Sequence, residues 1–239
     1  VTAPLFLAGS VDGDVITLDG DEGRHAATVR RIQPGERVDV GDGNGRVAEC
    51  VADRVADGTV TLRVTARRDE PAPEPRLVVV QALAKGDRAE DAVEAMTEVG
   101  VDEFVPWAAA RCVVRWEGAR GEKARARWTA TARSAAKQSR RAWLPPVAEL
   151  HDTEQVAERL RAASLAVVLH EAAERPLAGA EVPDSGEIVV VVGPEGGITD
   201  DELAAFGTAP YRLGRSVLRT STAGVAAAAL LLAQTERWR

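Results

Sequence analysis

The 239-residue sequence holds two cysteines and three histidines. Cys50 and Cys112 lie far apart and form no CxxC pair, which argues against a disulfide framework or structural zinc and for a reducing compartment. Aromatic residues make up only 4% of the chain, so its core must come from Val, Leu, Ile and Ala. The longest apolar stretch, Ala223 to Ala233, falls well short of the ~20 residues that cross a bilayer. Residues Val1 to Ser10 show neither the basic start nor the apolar core of a signal peptide. Together these absences predict a cytoplasmic protein with no metal and no membrane partner.

What is present is an ordinary globular mixture, 45% hydrophobic and 28% charged, over a length exceeding one average domain of roughly 100–150 residues. A net charge of −7 argues by itself against a nucleic-acid partner. Its distribution argues the other way. Arg111, Arg115, Arg120, Lys123, Arg125, Arg127, Arg133, Lys137, Arg140 and Arg141 face only Glu117 and Glu122, so this segment is +8 and the rest of the chain −15. A basic island on an acidic chain binds phosphate locally while repulsion limits non-specific association; a solvated helix face is the alternative.

Residues 1–72 read as short strands separated by turns. Val11-Asp12-Gly13-Asp14 and Asp42-Gly43-Asn44-Gly45 carry turn chemistry. Period-two alternation marks Arg37–Val40, Arg46–Val51 and Thr59–Val64, the pattern of a small barrel or sandwich. Asp21 to Ile32 reads as a short helix or turn-helix. The prolines at 71, 73 and 75 favour an extended spacer and mark the domain boundary. From residue 73 to 239 the pattern becomes strand alternating with helix: strands at Leu77–Leu83, Phe104–Pro106, Leu165–Leu169, Ile188–Val192 and Tyr211–Leu213. Helices are expected at 87–99, 122–143, 153–163, 201–206 and from Ser221 or Thr222 onward, with Thr199 or Asp200 as a cap. That alternation predicts a parallel sheet covered on both faces.

Four groups carry candidate chemistry. Gly193-Pro194-Glu195-Gly196-Gly197 follows the most apolar strand, where open α/β sheets bind ligands and glycine permits close backbone approach; a tight turn without ligand is the alternative. No Lys-Ser/Thr pair follows it, which excludes a P-loop, and the first strand lacks GxGxxG, which excludes a dinucleotide fingerprint. Leu213-Gly214 through Arg219-Thr220-Ser221-Thr222 is a second strand-to-helix loop able to present backbone donors. Lys85-Gly86-Asp87-Arg88 is either a phosphate contact or ordinary helix-end charge. Gln138-Ser139-Arg140-Arg141 ends the basic segment and suits phosphate.

In order and spacing, Lys85-Gly86-Asp87-Arg88, Glu98-Val99-Gly100-Val101, Gln138-Ser139-Arg140, Gly193–Gly197 and Leu213-Gly214…Leu218-Arg219-Thr220 resemble the RsmE family of 16S ribosomal RNA uridine-N3 methyltransferases. His25…Val29-Arg30-Arg31, Gly35-Glu36 and Asp42-Gly43 resemble that family's RNA-binding domain. The resemblance implies a PUA-like β-barrel followed by an α/β SPOUT-type domain with a parallel sheet and a trefoil knot. It implies a homodimer acting on the small ribosomal subunit with S-adenosylmethionine as cofactor. The cofactor would be held by Leu169, His170 and Glu171, by Gly193, Pro194, Glu195, Gly196 and Gly197, and by Leu213, Gly214, Val217, Leu218, Thr220, Ser221 and Thr222. Ser221 stands where the family usually has Glu, so no proton acceptor is assigned there, and a helix cap is its simplest role.

Methylating N3 of uridine requires loss of an imide proton and stabilisation of charge on the uracil oxygens, for which Arg219 is the candidate. His25, Arg30, Arg31, Lys85, Arg88, Lys137, Arg140 and Arg141 are the RNA-binding candidates. The competing readings are a non-catalytic ribosome-assembly factor and a methyltransferase of another RNA nucleotide.

Overall fold

The computed structural model describes residues 3–86 and 88–238. Asp87 of the Lys85–Arg88 motif therefore lies outside the described residues, as do Val1, Thr2 and Arg239. The chain forms two compact units: Val1–Ala72 with Ala136–Leu144, and Pro73–Ala135 with Pro145–Arg239.

The first unit contains β1 (Leu5–Leu7), β2 (Val15–Leu18), α1 (Gly20–Arg24), a π turn over His25–Val29, β3 (Arg37–Gly41), β4 (Arg46–Ala56) and β5 (Thr59–Asp69). Its sheet runs β1-β3-β4-β5-β2. Only the β1–β3 pairing is parallel; the rest is antiparallel. Strand alternation sends Val38, Val40, Ala48, Cys50, Val60 and Leu62 into one core with Phe6, Ile16 and Leu18. Strands β4 and β5 outrun the alternating stretches seen in the sequence. Their far ends are held by arginines: Arg67 donates to the Val11, Asp12 and Gly13 carbonyls, and Arg68 pairs with Asp39. The turn between them is Asp57-Gly58, with φ of 52° and 74°, the left-handed pair that a two-residue hairpin demands.

Residues 136–144 complete this unit. Asn44 bridges Trp143, and the Leu144 amide donates to the Gly43 carbonyl at 2.9 Å. Gly45 has φ +97°, and a Cβ there would lie 2.6 Å from the Glu70 carbonyl and the Trp143 ring. The long basic helix ends at Gln138 rather than running to Trp143. Arg140 turns left-handed at φ 59°, and the residues after it serve the Asn44 bridge.

The second unit follows in chain order as β6 (Arg76–Ala82), α2 (Arg88–Val99), β7 (Glu103–Trp107), α3 (Gly118–Gln138), α4 (Thr153–Ala162), β8 (Leu165–Val168), β9 (Arg175–Pro176), β10 (Glu187–Val192), α5 (Asp200–Phe206), β11 (Tyr211–Arg212) and α6 (Thr220–Leu232). Its main sheet is parallel in the order β7-β6-β10-β8, and β9 pairs with β11. Both faces are buried, which is why β6 and β10 read as continuous apolar runs. On one face Leu77, Val79, Ile188 and Val190 pack with Val93 and Met96 of α2, Trp128 of α3 and Leu231 of α6. On the other, Val78, Val80, Val189 and Val191 pack with Val156 and Leu160 of α4 and Phe206 of α5.

The first residues of the strands are tied by charge. Arg159 of α4 donates to both oxygens of Glu103 at 2.7 Å, and Arg76 pairs with Glu103 and Glu187. Burial disfavours the Arg159 cation, but hydrogen bonds and charge from Glu103 and Glu187 outweigh it and raise its pKa. Asp152 caps α4 in a reciprocal box with Gln155, and Thr199 caps α5 in another with Glu202. The terminal helix differs from expectation. Its N-cap is Arg219, with no side-chain cap bond, while Ser221 and Thr222 lie in the first turn.

Candidate active site

The carboxyl ends of these strands open onto a cavity of about 630 Å³, a size suited to a small molecule of cofactor dimensions. Three loops wall it. After β8 come Leu169, His170 and Glu171; after β10 come Gly193, Pro194, Glu195, Gly196 and Gly197; after β11 come Leu213, Gly214, Val217, Leu218, Arg219 and Thr220. Three separate stretches of sequence, the first and last more than forty residues apart, thus meet at one place, the strand-end position where open α/β sheets hold ligands.

Each loop is fixed by its own chemistry. Leu169 donates to Val191 and His170 to Tyr211 through their backbone amides, at 3.0 and 2.9 Å, so the first loop is tied to both neighbours. The Ala172 amide donates to His170 Nδ1 at 3.2 Å. In the second loop the Gly197 amide closes onto the Pro194 carbonyl at 2.9 Å with φ +76°, a conformation that favours glycine. A Cβ on Gly196 would come within 2.9 Å of Arg111 Cβ, and one on Gly193 within 2.7 Å of Ile198 Cγ1. The third loop is secured at its end by Thr220, whose hydroxyl donates to the Gly193 carbonyl at 2.9 Å. Because no side chain caps α6, its first amide donors are available to a polar ligand.

Five arginines line the cavity, Arg88, Arg111, Arg212, Arg215 and Arg219, against Glu171, Glu195 and Asp200. Arg88 pairs with Glu195 at 3.3 Å, and Arg111 donates to the Gly196 carbonyl at 3.0 Å. Arg219 is exposed at the start of α6. Of the residues expected at the cofactor, Ser221 and Thr222 are not among those lining the cavity. Lys85 is exposed and also lies outside the lining, whereas Arg88, expected at RNA, is part of it.

In the first unit the structure joins two basic segments distant in sequence. The His25 ring meets Phe6 edge-on at 5.8 Å between centroids, and the Lys137 ammonium lies 5.6 Å from the same ring's centre. Lys137 also holds both carboxylate oxygens of Glu22 on α1 at 2.7 Å. Its charge is therefore engaged within the protein. Arg30 and Arg31 follow His25 and are exposed, and Arg140 and Arg141 follow Lys137. Elsewhere in the basic segment, Arg125 pairs with Glu149 at 3.0 Å and Arg127 with Glu90 at 3.4 Å. Part of the positive island is thus neutralised internally.

Three contributors escaped the sequence reading. Arg111 stands just beyond β7, a strand-end position that could have flagged it, but it reads as one more member of the basic segment. Glu202 is buried; it accepts from the Ala110 amide at 2.7 Å while bonding Thr199, and so holds the Arg111 loop to the start of α5. Gln81, fully buried in β6, donates to the Thr220 hydroxyl at 2.9 Å.

Comparison with known proteins gives a consistent picture. A family model described as an RNA methyltransferase domain matches residues 71–232, and one described as an RNA methyltransferase PUA domain matches residues 18–63. The ribosomal RNA small subunit methyltransferase E of Mycobacterium bovis is 48% identical over 247 aligned positions, covering 100% of this chain and 94% of the relative. The protein of the same name from Bacillus subtilis is 29% identical, covering 95% and 93%. A crystal structure of ribosomal RNA small subunit methyltransferase E from Neisseria gonorrhoeae, bound to S-adenosyl methionine, superposes with a TM-score of 0.85 at 26% identity, covering 97% of this chain and 98% of that one.

Proposed function

Since the chain belongs to the RsmE family of ribosomal RNA methyltransferases, we propose that it uses S-adenosylmethionine to methylate N3 of a uridine in 16S RNA of the small ribosomal subunit. The observation that carries this reading is the convergence of residues 169–171, 193–197 and 213–220 on one cavity. The residues present fit the cofactor. Backbone edges from three loops and the uncapped start of α6 suit an adenine edge and a carboxylate, while Glu171, Glu195 and Asp200 suit a cationic group. A Cβ added to Gly214 would meet nothing within 4 Å, so a ligand can approach this backbone closely. The cofactor, when bound, supplies an electrophilic methyl group.

The chain's own task is to present the uracil in line and to stabilise charge that develops on its oxygens as the imide proton leaves. Arg219, exposed at the cavity beside Thr220, takes the electrostatic role. Arg88 and Lys85 flank the start of α2 and guide the RNA backbone toward the cavity. In the first unit, a PUA-like RNA-docking domain over residues 1–72 completed by residues 136–144, His25 and Lys137 order a surface through Phe6 and Glu22. From it Arg30, Arg31, Arg140 and Arg141 contact phosphates. The catalytic domain takes the remainder of residues 73–239, with the knotted path that the family implies for its last loops.

Homodimerisation belongs to the same proposal. Val217 and Leu218, 77% and 36% exposed beside the cavity, supply an apolar edge for a second copy. Among the described residues no helix is long and apolar enough to cross a membrane, and the proposed ribosomal substrate supports a cytoplasmic location. Modification mapping of small-subunit RNA from cells with and without the protein tests the target. Replacing Arg219 by Ala should lower turnover on subunits by roughly 10²–10³ with cofactor affinity nearly kept; wild-type turnover removes Arg219 from the mechanism. Ser221, in place of the family's usual Glu, favours one alternative, an assembly factor without catalysis. No methyl transfer to any cellular RNA, small-subunit or other, would establish it.

A further inference from the structure

We infer that Gln81 is a positioning residue for the cofactor loops, acting through Thr220; the inference rests on the cofactor reading above. Gln81 is 0% exposed in β6, paired in register with Val192 at the end of β10. Its neighbours Val78, Val79 and Val80 show what packing alone selects there. An amide at this position costs free energy unless its groups are used. Both uses on the donor side are visible: Nε2 donates to the Thr220 hydroxyl at 2.9 Å and to the Ala82 carbonyl at 3.3 Å. Among the described residues Oε1 meets no protein donor, so within the protein this amide serves as a donor.

The consequence is directional. A hydroxyl has one proton to give. With Gln81 donating into it, the Thr220 oxygen acts as acceptor on that side and its proton goes to the Gly193 carbonyl at 2.9 Å. The relay amide → hydroxyl → carbonyl therefore joins the start of α6 to the first residue of the 193–197 loop. Two of the three cavity walls are held together by one buried polar residue that does not itself line the cavity.

The test is a double-mutant cycle on the full chain, Gln81→Leu, Thr220→Val and both together, read by hydrogen exchange and calorimetry. In the ligand-free protein, Gln81→Leu should speed amide exchange at residues 193–198 by about tenfold, the loss of one buried hydrogen bond, and Thr220→Val, which loses two, by at least as much, with the double change no worse than Thr220→Val alone. Affinity for S-adenosylmethionine should fall about tenfold in the same non-additive way. Gln81→Glu adds a readout that packing cannot mimic. The ionised carboxylate competes with Gly193 for the hydroxyl proton, so affinity should be weak at high pH and recover as that carboxyl is protonated, with no such pH dependence in Gln81→Leu. Additive losses, unchanged exchange in Gln81→Leu, or a pH-independent Gln81→Glu would overturn the inference. Absence of binding by the wild-type chain would instead overturn the cofactor reading and leave the exchange result standing.

Discussion

Removing the Glu202 carboxylate should loosen the Arg111 side of the cavity, and the structure sets the size of the effect. Glu202 is 5% exposed, accepts from the Ala110 amide at 2.7 Å through one oxygen, and bonds the Thr199 amide and hydroxyl at 2.8 and 2.9 Å through the other. Losing the reciprocal cap of α5 costs about 1 kcal/mol, and losing the charge-assisted bond to the Ala110 amide at this part-buried site costs about 1–3 kcal/mol more. Glu202→Ala should therefore destabilise by roughly 2–4 kcal/mol, or about 2–4 °C of melting temperature per kcal/mol for a chain of this size. Glu202→Gln keeps the shape but turns an NH2 group toward a backbone donor, so it should recover little of the loss. The control is Gln155→Ala, which removes only the equivalent cap partner in α4. The difference between the two melts isolates the Ala110 bond. Cofactor affinity should fall in Glu202→Ala, because Arg111 would lose the loop that brings it to the Gly196 carbonyl, and should hold in Gln155→Ala. Equal melting temperatures for the two alanine variants would refute the reasoning.

At the opposite end of the sheet, Arg159→Ala should cost roughly 2–4 kcal/mol by stripping Glu103 of two bonds while Arg76 remains. Urea unfolding should show the loss, with cofactor affinity unchanged; a drop in affinity would contradict the separation of the two ends. Burial, aided by Asp39 and opposed by Arg67, pushes the Cys50 thiol up to about 11; burial likewise raises Cys112. Neither thiol should react with a disulfide reagent at pH 8 until the chain unfolds, and rapid native labelling would refute this. Because the native state keeps these protons where unfolded thiols lose them, their contribution to stability should decline as pH rises from the ordinary thiol range toward 11. Gly45→Ala should destabilise by about 2–3 kcal/mol, since φ +97° and a backbone oxygen at 2.6 Å leave the new methyl no room. A melt within a degree of wild type would show that the Asp42–Gly45 turn can shift.

The second unit was the more legible because strands buried on both faces print as uninterrupted apolar runs: the run Leu77–Leu83 lies one residue from β6, and Ile188–Val192 falls inside β10. β1 and β9 span three and two residues, too short to express a period. The cavity loops were legible from glycine at strand ends, whereas the residues that hold them were not. Gln81 sits inside an apolar run and gives no pattern. Glu202 reads as helix-start charge, and nothing local shows its reach to Ala110. The cap of α6 misleads for a related reason: Ser and Thr are favoured caps, but the helix begins at Thr220, whose hydroxyl holds Gly193 and Gln81, so Ser221 and Thr222 fall inside the first turn.

The ion pairs gathered at the strand beginnings have a thermodynamic corollary for ligand capture. With Arg76, Glu103, Arg159 and Glu187 clamping the sheet's base, the strand register is fixed by contacts far from the ligand, and only short connecting segments face the mouth. A molecule entering the opposite mouth thus forfeits little entropy in organising its host, and most of its contact energy is available as affinity.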